Sequence, residues 1–310
     1  MKKLLLLLLP LIAIFIYIFG PTGLSKDTTR FVVPLESKQE TIINDLKNKG
    51  FIRSEKAFSL LLYFIGPQKK IEPGSYLISH SMNSFQLADT LLNHPYQVWA
   101  VLIPGLRVEQ IGEKLQKKLK WSDGDVNEFL HHAQEGYMFP DTYLFPVEDS
   151  PKMIADRMIS NFNEKFDRRL QADLLSQNVR NDTAIKIASL IERESGTPHD
   201  KGLIAGVIWN RLNKGMCLQI DATIQYAIGK PGNWWPIVKG SDLKIDSPYN
   251  TYKISALPPG PIANPSLASI RAAVYPEETD CFYYLHTPDK KIHCSETYKE
   301  HLENIELYLK

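Results

Sequence analysis

Cysteine is scarce: three in 310 residues are too few for a disulfide-framework scaffold or a four-cysteine zinc ribbon. Charge of one sign is missing too. Thirty-six Lys and Arg face 35 Asp and Glu, a net charge of +1, so no basic face for nucleic acid is signalled. Seventeen Gly and 20 Pro exclude a collagen-like or low-complexity chain. What is present is ordinary globular material, 44% apolar and 23% charged, at a length suited to about two domains of roughly 150 residues.

Charge is most conspicuously absent near the amino end, where none occurs between Lys3 and Lys26. Leu4 to Ser25 gives 22 uncharged residues, about 33 Å as a helix against a hydrocarbon core of about 30 Å. A cleaved signal peptide has a shorter apolar region ending in small residues. Here the run ends in YIFGPTG, so residues 1–25 are expected to be an uncleaved single-pass anchor. Lys2 and Lys3 then stay in the cytoplasm and the body lies outside the cytoplasmic membrane. That compartment permits disulfides. Cys281 and Cys294 flank an expected hairpin whose four-residue loop, 288–291, pairs Thr287 with Ile292 and Cys294 with Leu285. A Cys281–Cys294 bridge needs another register and is left open; Cys217 has no partner in either case.

The periodicities predict an α+β protein. Residues 31–96 read as a small α/β module: strand FVVPL, a helix from Gln39 to Lys49, a helix capped by Ser54, strand GSYLIS, and a helix capped by Ser84. Residues 97–150 continue as a connecting α/β segment, with strand VLIP and helices VEQIGEKLQKKL and DVNEFLHHA, a weak echo of the first module. EGYMFPDTYLFP is aromatic and broken by proline; it either lines a sugar groove around Glu135 or plugs a domain joint. One amphipathic helix is expected from Pro151 to about Leu175. Residues 151–310 are the remaining, mixed α/β domain.

Chemistry concentrates between Thr183 and Gly229. TAIKIASLIERES has helical spacing, with Ile187, Leu190 and Ile191 on one face. Glu194 falls seven, four and three residues after them, on the apolar side near the helix end. Glu192 points about 160° away, toward the flank or solvent. Apolar surroundings penalise a carboxylate and raise its pKa, and the negative end of the helix dipole acts in the same direction. Such an acid can protonate a leaving oxygen, as glycosidic cleavage requires. The other reading is a core glutamate held by an arginine or a backbone amide.

Thr197-Pro198-His199-Asp200 reads as a helix start, followed by LIAGVIWNRLNKG. Asn210 and Arg211 adjoin its buried stripe, where they either bond the catalytic region or cap helix ends. Gln219, Asp221, Thr223 and Tyr226 form a polar series suited to carbohydrate or backbone binding. Tyr249, Asn250 and Tyr252 precede PPGP in a proline-stiffened loop that is either functional or a structural clasp. His286, His293, Cys281 and Cys294 match no common zinc spacing.

Seven segments in order resemble one family: the amino-terminal apolar run, EGYMFPDTY, ASLIERES, VIWNRL, GMCLQIDATIQYAIG, SPYNTY and LPPGPIANPS. They are similar to the endolytic murein transglycosylases, the YceG-like family, over nearly the whole chain. The resemblance implies a membrane anchor, a LysM-like module, and cleavage between N-acetylmuramic acid and N-acetylglucosamine within peptidoglycan strands by a lyase route that leaves 1,6-anhydro ends. It places the acid at Glu194, with Arg193 where the family commonly has Lys, and implies no metal or cofactor. It further implies glycan strands as substrate, a membrane location and glycan-polymerising synthases as neighbours. IPGLRVEQI departs from the family's usual Glu-Gly before that helix. Glu135, Asn210, Arg211, Gln219, Asp221, Thr223, Tyr226, Tyr249, Asn250 and Tyr252 are the expected substrate-binding or supporting residues. Two other readings remain: a water-using hydrolase with Asp221 as second carboxylate, and a non-catalytic glycan-binding anchor.

Overall fold

The computed structural model describes residues 2–309, and side-chain surroundings from residue 9 onward. The chain divides into two compact units, residues 1–100 with 142–149, and residues 101–141 with 150–310.

The first unit opens with helix α1, Lys2–Phe19, which contains Pro10. The sequence leads one to expect apolar helix as far as Ser25; instead the helix stops at Phe19, where Gly20 N–H closes on Ile16 C=O at 2.8 Å and Pro21 follows. The beginning of the expected anchor, residues 1–8, lies outside the described side chains. Among the described residues, no helix is long and apolar enough to cross a membrane. Residues 20–25 are not a slack linker. Gly23 N–H donates to His80 C=O at 2.9 Å and Ser81 N–H to Ser25 C=O at 3.1 Å.

Strand β1, Thr29–Val33, is followed by α2, Gln39–Asn48, and α3, Glu55–Ile65; then come β2, Gly74–Ile78, α4, Ser84–Asn93, and β3, Gln97–Val101. Strand β4, Thr142–Pro146, completes a four-stranded sheet in the order β1-β2-β3-β4, with β1–β2 and β2–β3 antiparallel. Phe31, Leu46, Phe58, Tyr76, Ile78, Leu87 and Leu91 fill the space between sheet and helices. Two local expectations change. Asn83, not Ser84, caps α4: its Oδ1 accepts from Gln86 N–H and Gln86 Oε1 accepts from Asn83 N–H, a capping box. The strand expected at VLIP lies four residues earlier, where Gln97 is tied to Ser75 Oγ at 2.8 Å. EGYMFPDTYLFP, broken by proline, ends in a strand, β4.

The second unit contains α5, Val108–Leu119, α6, Asp123–His132, α7, Pro151–Lys165, and α8, Arg168–Ser176. The single helix expected over 151–175 is two, because the Asp167 carboxylate accepts from Arg169 and Leu170 N–H, both at 3.0 Å, and starts a new helix. The centre is α9, Asn181–Glu194, in which Ala184, Ile185, Ile187, Ala188, Ser189, Leu190 and Ile191 are all buried. Burial this complete marks a helix enclosed by others. Around it pack α10, Lys201–Asn213, α11, Asp221–Ile228, and α12, Leu267–Val274. A hairpin of β5, Tyr283–His286, and β6, Ile292–Ser295, precedes α13, Tyr298–Tyr308.

The hairpin register differs by one residue from the expected one. Tyr284 faces Cys294 and His286 faces Ile292, closed by a turn in which Lys290 takes φ 66°. Cys281, outside β5, reaches Cys294 in a disulfide with Cα atoms 5.8 Å apart, so the bridge left open by the sequence does form; Cys217 is free. One glycine is obligatory in this packing: a Cβ at Gly206 of α10 would lie 2.3 Å from Glu277 C=O.

Candidate active site

Glu194 is the last residue of α9 and lies in a cleft of about 360 Å³. The cleft is also lined by Arg211 from α10, Gln219 and Asp221 at the start of α11, Tyr252 from the proline loop, Tyr284 from β5 and His301 from α13. The helix brings Glu194 there because Ile187, Leu190 and Ile191 on the same side are fully buried. Glu194 is partly buried where it lines the cleft. Burial raises its pKa. The Tyr284 hydroxyl, donating to Oε2 at 2.9 Å, opposes that rise, and the neighbouring Asp221 charge adds to it.

The rest of the cleft is positioned by hydrogen bonds that cross the sequence. Arg211 donates from Nε to Phe282 C=O and from Nη1 to Leu218 C=O, both at 2.6 Å, fastening the β5 approach to the segment before α11. Gln219 sits in the left-handed region at φ 53°, its N–H donating to Thr251 C=O at 3.0 Å. Tyr252 Oη donates to Asp221 Oδ1 at 2.6 Å. Burial, followed by this bond, holds the Tyr252 hydroxyl protonated far above the ordinary tyrosine range. On β5, residues two apart share a face, so His286 accompanies Tyr284 and meets Asp200 at 3.1 Å. Asp200 also accepts from Thr197 N–H and Oγ1, which fixes the turn after Glu194.

Glu192 is not directed to solvent. Its Oε2 accepts from Lys201 Nζ at 3.0 Å, Ser266 N–H at 2.9 Å, Ser266 Oγ at 2.5 Å and Ser269 Oγ at 2.6 Å. Burial alone raises its pKa, but the bonds from Ser266 and Ser269, with Lys201, outweigh burial and hold it below the ordinary value. A helix face that the sequence assigns to the flank is covered by α12. Two glutamates two positions apart therefore have opposite electrostatic settings.

The expected site residues separate into groups. Arg211, Gln219, Asp221 and Tyr252 share the cleft with Glu194. Thr223 and Asn250 do not line it. Thr223 Oγ1 bonds Ile220 C=O and Thr251 Oγ1, while Asn250 Nδ2 donates to Leu243 and Ile245 C=O, so both clasp loops. Asn210 donates to Thr279 and Cys281 C=O beside a different hollow of about 630 Å³. Glu135, Tyr226 and Tyr249 gather in another cluster around Arg107, whose guanidinium carbon is 4.1 Å from the Tyr226 ring centre and 4.7 Å from that of Trp234.

Glu135 accepts from Asn264 Nδ2 at 2.8 Å and Val108 N–H at 3.3 Å. Burial, then the Glu109 charge, push its pKa up to about 8. A Cβ on the next residue, Gly136 at φ 87°, would lie 2.6 Å from Pro261, so glycine lets the proline loop close over this cluster. Sequence reasoning missed Tyr284, His301 and the Asp200–His286 pair; β5 and α13 join the site from about 90 to 107 residues beyond Glu194, with no local pattern to mark them.

The partly buried acid, its phenolic donor and a polar cleft define a site suited to proton transfer on a polar polymer. Comparison with known proteins gives the family. The chain belongs to the YceG-like family, whose model matches residues 31–307. It is 32% identical over 314 aligned positions to an endolytic murein transglycosylase of Bacillus subtilis (strain 168), covering 92% of this chain and 86% of that relative. An endolytic murein transglycosylase of Streptococcus pneumoniae is 33% identical over 174 positions, 55% of this chain and 31% of its own length. A crystal structure of a yceG-like protein from Listeria monocytogenes superposes with a TM-score of 0.65 at 28% identity, covering 90% of this chain and 99% of that one.

Proposed function

We propose that this chain is a lyase that cuts peptidoglycan glycan strands internally at the bond between N-acetylmuramic acid and N-acetylglucosamine. Glu194 is the catalytic acid. Its raised pKa keeps a proton available for the leaving glycosidic oxygen. Once ionised, the carboxylate accepts the Tyr284 hydrogen bond and takes the proton of the muramic acid's own C6 hydroxyl. That oxygen closes a 1,6-anhydro ring, so one carboxyl serves both half-steps. The internal nucleophile is already beside the anomeric carbon, a large advantage in effective concentration. Arg211, Gln219, Asp221 and Tyr252 bind the strand in the cleft, and the action ends nascent strands beside glycan-polymerising enzymes.

The observation that carries this reading is Glu194, partly buried where it lines the cleft and bonded to Tyr284. A second reading is favoured by Asp221, a carboxylate lining the same cleft: a hydrolase in which Asp221 activates water. Mass spectrometry of digested sacculi decides. The lyase yields muropeptide ends lighter by one water, and Glu194→Gln yields at least about a hundredfold less. Reducing ends from wild type would replace the lyase with the hydrolase, and unchanged release by Glu194→Gln would remove Glu194 from the chemistry.

The membrane part of the reading rests on the amino end. Lys2 and Lys3 precede sixteen uncharged residues, Leu4 to Phe19, that the helix includes. We place this helix in the cytoplasmic membrane with the lysines inside and the rest of the chain outside. The module over residues 31–96 then serves as a LysM-like glycan-holding element.

A further inference from the structure

Helix α3 has an inner face, Phe58, Leu61 and Leu62, packed in the first unit's core. Its outer face is not polar. Leu60 is 56% exposed, Tyr63 65% and Phe64 73%. At about 100° per residue these three lie within roughly a quarter turn of one another, with exposed Lys56 on the same side. Lys47, Lys49, Lys69 and Lys70, in the segments before and after the helix, are exposed as well, while Glu40 and Glu55 line the groove beside Lys56, Leu60 and Tyr63. An apolar and aromatic strip edged by long charged side chains is the pattern of a helix lying in a lipid interface. Tyrosine and phenylalanine supply the rings, and lysine stems reach back to headgroups.

The same unit ties this helix to α1. The Arg53 guanidinium, just before α3, donates to the Tyr17, Gly20 and Pro21 carbonyls at 2.7, 2.9 and 2.6 Å, capping the end of α1. Phe15 and Phe19 of α1 meet Phe85 of α4 at 6.2 and 5.7 Å between ring centres. The apolar helix from Leu4 to Phe19 is about 24 Å long, short of a hydrocarbon core of about 30 Å. A short span is accommodated by thinning the bilayer, by snorkelling of flanking residues or by oligomerising, and the first two bring what flanks it close to the interface. What flanks it here, without slack, is the end of α1 capped by Arg53.

We propose that α3 is an interfacial helix, with Leu60, Tyr63 and Phe64 embedded in the outer surface of an anionic lipid membrane and the surrounding lysines on its headgroups. The inference rests on the membrane attachment of α1 proposed above and is independent of the lyase chemistry.

The test uses the full chain with Cys217→Ser, reconstituted into vesicles of phosphatidylcholine and phosphatidylglycerol at about 7:3. Single nitroxide labels are placed through Ile12→Cys, Phe64→Cys or Leu175→Cys. Collision with oxygen, which partitions into lipid, is compared with collision with a water-soluble nickel chelate. The expected result is that labels at 12 and 64 both favour oxygen, the label at 175 favours the chelate, and Lys56→Glu with Lys69→Glu and Lys70→Glu returns the label at 64 toward water. If the label at 12 is in lipid while that at 64 meets the chelate, the interfacial helix is overturned and the anchor stands. If the label at 64 is shielded from both reagents, a protein partner or a second copy covers α3, and the lipid assignment is wrong. A label at 12 that meets the chelate removes the anchor, and this inference with it.

Discussion

Tyr284 Oη donates a hydrogen bond to Glu194 Oε2 at 2.9 Å across 90 residues of sequence. The bond favours the ionised carboxylate, so it limits how far burial can raise the acid's pKa. Tyr284→Phe removes that restraint. The Glu194 pKa then rises, and in the proposed mechanism, where Glu194 supplies the catalytic proton, the alkaline limb of the pH–rate profile moves to higher pH. The lone carboxylate left after proton donation is also less stable, so kcat falls by about tenfold to a hundredfold. A profile that keeps its alkaline limb in place would separate Tyr284 from the acid.

Asp221 has the opposite sign. Its charge helps keep Glu194 protonated, so Asp221→Asn lowers the Glu194 pKa and moves the alkaline limb to lower pH. The substitution also leaves the Tyr252 hydroxyl without its carboxylate acceptor at 2.6 Å. Paired pH profiles of the Tyr284 and Asp221 variants should therefore diverge in opposite directions from wild type.

The Glu192–Lys201 pair is structural. Both side chains are buried, with Nζ and Oε2 3.0 Å apart. Glu192→Ala strands the lysine charge and should cost about 3–5 kcal/mol of unfolding free energy. Because the folded pKa of Glu192 lies below 4.5, its contribution is fully present above that pH and is lost as pH falls through the lower folded value. Urea melts at pH 7 and pH 3 measure both effects.

Glu135 works the other way. Its pKa rises from 4.5 in the unfolded chain to about 8 in the fold, so the folded state holds a proton that the unfolded state releases. Wild type should lose stability, on the order of 5 kcal/mol, as pH climbs through that window. Glu135→Gln should flatten the dependence. Denaturation midpoints at pH 5, 6.5 and 8 give the comparison.

The Cys281–Cys294 disulfide closes the chain around the β5–β6 hairpin that delivers Tyr284. Reduction frees a loop with a sequence separation of 13, worth about 3 kcal/mol in chain entropy. A thiol reductant should lower the melting temperature and depress activity together, and Cys281→Ser with Cys294→Ser should be insensitive to it.

Glu194 was legible because helical spacing is a local property: three apolar residues at offsets of seven, four and three fix its side of α9. Glu192 was misjudged for a related reason. Periodicity says which residues share a face, but not what covers the opposite one, and α12 arrives some 75 residues later with two serines. Thr223 and Asn250 looked like sugar contacts by residue type, yet their partners are backbone and hydroxyl groups of neighbouring loops. Tyr284 depended on a hairpin register that a left-handed Lys290 shifts by one position, and β registers are sensitive to a single residue in the turn.

Because Glu192 and Glu194 occupy opposite sides of one enclosed rod, the length of α9 is itself a specification. Deleting or inserting one amino acid between Asn181 and Ile191 would rotate everything downstream by about 100°. The acid would swing into packed side chains while the structural carboxylate lost its serines. Any engineered swap of this rod therefore has to preserve its residue count as strictly as its chemistry, with changes of length confined to the connecting turns.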